Sequence, residues 1–430
     1  MLKSSIFKNR PSIAMLHYTC PPVVGGVEAV MAAHARLFAA YGYPVTLLTG
    51  RGPVPSTSRP GIETRLEPLL DSKGERLNAL NRELEKGIIP SDFAAFTDEL
   101  LERLLVLLEG HTACIVHNAL TLHKNLPLTA ALARASSQTT VKIIAWCHDL
   151  AWTNPLYLPA LYDKYPWNLL KQAVPGITYV AISPQRQKEI LETFEPTLSS
   201  CDVQIVPNGV SQELFLGLKP ATCEVLKTAG LLQARKEGAL LLLLPARITR
   251  RKNIELAIKT LAALKNRGIN ARLIVTGPPG PHNVRIDEYV QELLALRKRL
   301  GVVEETVFLM ERWLETDGAP RVVEDEVIAD LYRYCDALIF PSSQEGFGIP
   351  ILEAGLSRLP VFCADIPPFI ELAGKHGVYF APDADPETVA TLILQKLVND
   401  SAYQLRQEVL SKYTWETVFE RSILPLLANA

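Results

Sequence analysis

Short apolar, β-branched runs, each closed by Gly, Pro, Asn or Asp, recur along the whole chain and alternate with longer segments of helical period. That alternation is the sequence form of a parallel α/β protein, because strands covered by helices on both faces read as continuous hydrophobic runs. The first half predicts strands at 12–17, 44–50, 113–119, 141–148, 178–183 and 202–209, with helices such as 27–40 and 91–108 between them. The second half predicts strands at 241–247, 271–277, 306–310, 337–342, 360–365 and 378–382. The chain has 430 residues. Single cores stop growing at roughly 250–300 residues, so two domains follow. Pro, Asn and Gly break the rhythm over 206–224, which puts the linker there and the division at 212/213. Ligands of doubly wound sheets sit beyond the carboxyl ends of the strands, so a cleft between two facing domains is the expected site. Residues 51–62 read as a mobile loop.

Composition narrows the partners. Lys plus Arg number 44 against 46 Asp plus Glu, a net charge of -2, so no global positive field gathers nucleic acid or anionic lipid, and any anion site must be local. Seven cysteines lie scattered without a C-x-x-C pair, which reads as reduced thiols in a cytoplasmic protein rather than a disulfide framework or a zinc site. Charges and Pro11 interrupt the N-terminal segment, and no apolar run approaches the ~18 residues of a membrane span. Neither secretion nor a transmembrane span is expected.

The most informative stretch is 337–365. An apolar strand ends at Pro341 and Ser342, a Gly-rich turn follows, and a helix is predicted to start between Phe347 and Pro350. The N–H groups of Gly346, Phe347 and Gly348 then point from a helix N-terminus toward the cleft, where the dipole favours a phosphate. Glu345 in the turn and Glu353 on the helix are placed to serve one extended ligand, accepting from sugar and ribose hydroxyls. The plain alternative is a strand–helix connection with solvated acids. A second cluster follows the strand at 241–247. Arg247 closes that strand, Arg250, Arg251 and Lys252 crowd the turn, and Asn253 is a candidate N-cap. Cations at a helix N-terminus cost stability unless an anion neutralises them, which suggests a diphosphate held by Arg247, Lys252 and the 346–348 turn; an ordinary basic loop is the alternative.

In the first half, Gly25 and Gly26 follow the first strand and open a helix, where glycine lets a ligand approach the backbone; a plain tight turn explains them equally. Neither G-x-G-x-x-G nor G-x-x-x-x-G-K-[ST] occurs. The fourth predicted strand ends in Trp146, His148 and Asp149, with Trp152 beyond. His148 is expected to face the cleft and bond a sugar hydroxyl or leaving oxygen, while Trp146 or Trp152 stacks on a sugar. His117, with Asn118, makes a weaker version of the same argument, and His17 falls outside the site.

These residues resemble the retaining glycosyltransferases of family 4 (glycosyl transferases group 1), whose GT-B fold sets two Rossmann-like domains face to face. The resemblance rests on the Gly25–Gly26 turn, the exit at His148 and Asp149, the basic run 247–253, and the paired glutamates of 345–353. It implies that Arg247 and Lys252 hold a diphosphate and that Glu353 binds the ribose. It implies further that Glu345 and the backbone of Phe347, Gly348 and Ile349 hold donor sugar and diphosphate, that Gly26 approaches the diphosphate, and that His148 contacts the sugar near its 6-hydroxyl. Asp149, Trp152 and His117 become candidates for the acceptor side. The segment 415–430 looks like the helix that returns to the first domain. Ala246 and Asn253 stand where the family has glycine.

The activity so implied is transfer of a hexose from a UDP-, GDP- or ADP-linked sugar to an acceptor hydroxyl, in carbohydrate biosynthesis, without cofactor or metal. No Asp-x-Asp pair is expected at a strand end, so the charge developing on the leaving diphosphate falls to Arg247, Lys252 and helix N-termini. Front-face attack then needs no protein nucleophile. Alternatives that use the same nucleotide site are a sugar-nucleotide epimerase or hydrolase and an inactive nucleotide-sugar-binding subunit.

Overall fold

The computed structural model describes residues 10–21, 25–52, 60–194, 198–200, 202–279 and 286–428. Two compact units divide the chain: 1–209 together with 415–430, and 210–414. Cys201 and part of the 51–62 segment lie outside the described residues.

The first unit carries seven parallel strands: β1 (Ile13–Thr19), β2 (Val45–Arg51), β3 (Ile62–Leu66), β4 (Ala113–His117), β5 (Lys142–Cys147), β6 (Ile177–Ala181) and β7 (Val203–Ile205). They run in the order β3-β2-β1-β4-β5-β6-β7. Period-2 alternation sorts their side chains into two cores. Ala14, Leu16, Cys114 and Val116 face one set of helices, including Phe93–Leu108. Ile13, Met15 and Ile115 face the helix Gly26–Ala40 and the segment 415–428. That returning segment packs Phe419 on Phe38 and Tyr41, with ring centroids 4.8 and 4.9 Å apart. It contains one π turn, Phe419–Ile423. The strand β3 was not foreseen. Its sequence, Ile-Glu-Thr-Arg-Leu, is mostly exposed at the sheet edge and lacks an apolar run.

The second unit has six parallel strands, β8 (Leu240–Leu244), β9 (Ala271–Val275), β10 (Thr306–Phe308), β11 (Ala337–Phe340), β12 (Val361–Ala364) and β13 (Val378–Phe380), ordered β10-β9-β8-β11-β12-β13. A buried ion pair pins its centre. The Arg235 guanidinium donates to Asp336 and to the Tyr334 carbonyl, both at 2.7 Å, and the Leu241 N–H donates to the same Asp336 carboxylate at 2.8 Å. These bonds tie the start of β8 to the start of β11. The predicted linker is structured rather than open chain: it holds the helices Gln212–Leu216 and Pro220–Thr228, the second anchored where Lys219 N–H and Thr222 hydroxyl donate to Asp330.

Strand order reverses between β1 and β4 in the first unit and between β8 and β11 in the second. Neighbouring crossovers there leave on opposite faces, which opens a crevice at the carboxyl edge of each sheet. The predicted site residues cluster at these two crevices.

Candidate functional site

In the second unit the loops leaving β8 and β11 are stitched together. The Ser343 N–H donates to the Arg251 carbonyl at 2.8 Å, and the Asn253 side-chain amide donates to Pro341 and Pro382 carbonyls at 3.1 and 2.8 Å. Asn253 sits in the left-handed region at φ 51°, which explains an asparagine where glycine is usual. Asn253 stands at the expected N-cap position of the helix Ile254–Asn266, but its side chain reaches back to two carbonyls and makes no cap bond to that helix.

The neutralising anion of the basic turn is Glu345. Lys252 and Arg251 both bond its carboxylate, Arg251 at 2.8 Å. The Lys252 and Glu345 side chains are 12% and 9% exposed, and the ammonium also lies 5.0 Å from the Phe340 ring centroid. A cation cluster that looked unpaired in the sequence is thus half-satisfied from within, and charge balance alone does not demand a diphosphate. Arg250 leaves this group altogether, making a two-pronged bond to Glu292 at 2.8 and 2.7 Å.

Arg247 and Glu353 line a cavity of about 740 Å³ together with Thr276, Arg321, Ile349 and Pro350. Glu353 accepts from the Tyr332 hydroxyl at 2.6 Å, and burial first, then that bond, pushes the phenol well above its ordinary pKa. Glu345 is absent from the lining, so the two glutamates divide: one receives the cations, the other looks into the cavity. Between them runs the turn 346–348 and the helix Ile349–Leu356, its N-cap Gly348 at φ 112°. A Cβ on Gly348 would come within 2.9 Å of the Phe369 ring, so only glycine fits. Among the described residues, the N–H groups of Gly346, Phe347 and Gly348 donate to no protein acceptor. Phe347 and Ile349 are exposed. Arg321, missed in the sequence, lies over Trp313 at 4.1 Å; nothing in its local pattern marks it.

In the first unit the crevice is built from imidazoles. His17 Nδ1 donates to the His117 carbonyl at 3.0 Å, and His117 Nδ1 and His148 Nε2 share one hydrogen bond, also 3.0 Å. One nitrogen must donate and the other accept, so this pair cannot carry two charges. Asn118, at φ 59°, holds the exit of β5 by accepting from His148 and Asp149 N–H groups at 2.8 and 3.1 Å. Asp149 is exposed and 3.6 Å from Arg186. His17, set outside the site by sequence, packs in the same imidazole cluster. His117 is wholly buried and supports His148 instead of touching a ligand, which corrects its assignment to the acceptor side.

Burial also removes Trp146 as a sugar platform. Trp152 is half-buried, donates to the Trp167 carbonyl at 3.2 Å, and has the Lys171 ammonium 4.4 Å from its ring centroid, so one face is taken. A fourth imidazole, His34, escaped notice because it lies mid-helix among alanines. It is fully buried, with ring centroids 4.8 Å from Trp146, 5.4 Å from Trp415 and 5.9 Å from His117. Its two ring nitrogens, His117 Nε2 and Trp146 Nε1 have no hydrogen-bond partner among the described residues. Burial pushes His34 down to about 3 and His148 to about 4, and lowers His117 and His17 as well. Burial thus favours the neutral imidazole at each of the four positions.

Gly25 caps the helix Gly26–Ala40. A Cβ there would meet the Glu28 carboxylate, which accepts from the Thr19 hydroxyl, at 2.1 Å. Gly26 opens the helix with open space around its Cα. An Asp-x-Asp does stand beyond a strand, contrary to expectation: Asp383 and Asp385 follow β13, and Asp385 accepts from the Thr388 N–H at 3.3 Å as a helix cap. Among the described residues no group of three or more His, Cys, Asp or Glu is arranged to hold a metal ion, and no helix is long and apolar enough to cross a membrane.

The family described as Glycosyl transferases group 1 matches residues 233–414, and Glycosyltransferase Family 4 matches 24–214. Relatives include the serotype-specific mannosyltransferase WbdA of Escherichia coli, 32% identical over 179 residues, which are 40% of this chain and 20% of that protein. The match thus spans about a fifth of the mannosyltransferase's length. A D-inositol 3-phosphate glycosyltransferase of Stackebrandtia nassauensis is 26% identical over 416 residues, covering 91% of this chain and 84% of the relative. Among solved structures, a glycosyltransferase from Rickettsia africae aligns over 98% of both chains at 14% identity with a TM-score of 0.39.

Proposed function

Because the chain belongs to the group 1 glycosyl transferases of glycosyltransferase family 4, we propose that it moves a hexose from a nucleotide diphosphate sugar to an acceptor hydroxyl, with retention and without a metal. The observation that carries this reading is the arrangement in the second unit. A cavity holding Arg247 and Glu353 adjoins a helix N-terminus whose N–H groups lack protein acceptors among the described residues, and the Lys252–Glu345 pair stands behind the same turn. Glu353, held by Tyr332, accepts from ribose hydroxyls. Arg247, Lys252 and the 346–348 amides meet the charge that grows on the departing diphosphate, where fixed donors lower the barrier most. The acceptor hydroxyl attacks from the side the diphosphate leaves and passes its proton to a phosphate oxygen. No protein nucleophile is needed, and positioning does the rest.

His148 serves the sugar hydroxyls as a neutral donor or acceptor, oriented by His117 and Asn118. The reading includes a cytoplasmic site of action, supported by the buried thiols of Cys114, Cys147, Cys335 and Cys363, which form no disulfide among the described residues. A panel of UDP-, GDP- and ADP-hexoses scored for nucleoside diphosphate release identifies the donor, and proton NMR of the product is expected to show the donor's anomeric configuration retained. Turnover is expected to survive EDTA dialysis. An inverted linkage, or activity that returns only with a divalent cation, would overturn the corresponding part of the mechanism.

A further inference from the structure

A second cavity, of about 450 Å³, lies wholly within the first unit. Its lining comes from segments that follow β3, β4 and β5, so it opens among the loops of the sheet's carboxyl edge. Lys73, Arg82 and Lys124 contribute three cations, and Ser72, Asn78 and Asn81 contribute neutral polar groups; Glu85 is the one acid in the lining. Among the described residues none of the three cations pairs with a carboxylate, although most other basic side chains of this unit do, as Arg76 does with Glu99, Arg103 with Glu67 and Arg134 with Asp98. The backbone around them is fixed. The Asn78 amide donates to the Lys73 carbonyl at 3.1 Å and the Asn81 amide to the Lys124 carbonyl at 3.3 Å, so the helix Glu75–Leu84 clamps both lysine-bearing loops. The uncompensated charge is felt locally, since Lys124 adds to burial in holding His123 below its ordinary pKa.

Three like charges converge on one concave surface only at an electrostatic cost, which an anion of matching charge reverses. We propose that this cavity is an anion subsite that binds a phosphoryl group carried by the acceptor, with Lys73, Arg82 and Lys124 as its cationic ligands. Arg82 supplies the planar fork and the two ammoniums supply point charges, while Asn78, Asn81 and Ser72 suit the sugar hydroxyls next to the phosphate. The proposal rests on the transferase reading, because it names the acceptor class for that reaction. The phosphoryl group belongs either to a soluble sugar phosphate or to the headgroup of a lipid.

The test measures binding rather than turnover, so it stands or falls apart from the transferase assignment. Glucose 6-phosphate is titrated calorimetrically into the full-length protein carrying Lys252→Ala, which weakens phosphate capture in the second unit. Binding is expected, weakened about 5–10-fold by Arg82→Gln or Lys124→Ala singly, and weakened further by added salt, as charge-assisted contacts are. The exposed single variants are expected to melt with the parent, which separates lost binding from lost folding. In parallel, vesicles of phosphatidylcholine with and without phosphatidic acid are sedimented with the protein. Pelleting that needs phosphatidic acid and is lost in Lys124→Ala assigns the lipid source, and glucose 6-phosphate binding alone assigns the soluble one. If neither probe binds, or if both bind equally to the parent and to Arg82→Gln and Lys124→Ala, the subsite does not exist.

Discussion

The two crevices sit at equivalent points of similar sheets and solve the burial of polar groups in opposite ways. In the first unit, four imidazoles are packed together in the interior, His117 bonded to His148 and His17 to the His117 carbonyl, while His34 has no hydrogen-bond partner among the described residues. In the second, Lys252 and Arg251 form ion pairs with Glu345 at a half-open turn. Neutral groups suit a surface that orients hydroxyls, whereas preserved charge suits a surface that must answer charge created during a reaction. The difference also fixes how each region responds to perturbation.

The largest expected effect comes from Lys252→Ala, which is predicted to lower turnover by about 10²–10³-fold while Arg251 still holds Glu345 and the melting temperature stays within a few degrees. Nucleoside diphosphate release and a thermal melt read the two halves of that statement, and unimpaired release would break the contrast between the units. Next is acid stability. The native imidazoles stay unprotonated down to about 3 for His34 and about 4 for His148, whereas the unfolded chain protonates them below its ordinary histidine pKa. The unfolded state therefore binds more protons, and stability falls as pH drops from about 6.5 to 4, by a few kcal/mol in order of magnitude. Urea midpoints across that range are expected to slope less steeply in His34→Leu, and an unchanged slope counts against the buried cluster as the cause. The smallest effect separates Asn253→Gly from Asn253→Ala. Both lose the two bonds to carbonyls, but only alanine is strained at φ 51°, so alanine should be less stable than glycine by about 1 kcal/mol. Equal stability of the two would remove backbone strain from the explanation.

Much of this was legible in advance. Twelve of the strands stood out as apolar runs, and the 346–348 turn announced a helix start through Gly and Pro. What stayed hidden depends on long-range partners. Glu345 as the counter-ion of Lys252 joins residues 93 positions apart, and a single sequence carries no sign of that pairing. His34 gave no signal because one polar residue on a helix looks the same whether it faces solvent or the rings of His117, Trp146 and Trp415. β3 eluded the pattern because edge strands are selected against the apolar run that reveals interior ones. The Trp146 and His117 assignments erred for a related reason: period 2 says which residues share a face, not whether that face is later covered by a helix.

The path of the chain has its own consequence. The first unit is interrupted by the whole of the second and completed by residues 415–428, whose Trp415 abuts Gly209 so closely that a methyl group there would stand 2.7 Å from the indole. During synthesis on a ribosome, the sheet of the first unit must wait with the Met31, Phe38 and Trp146 side of its core unsheathed until the other 205-residue unit has been translated. The later-made unit is free to fold first, and the earlier one matures last.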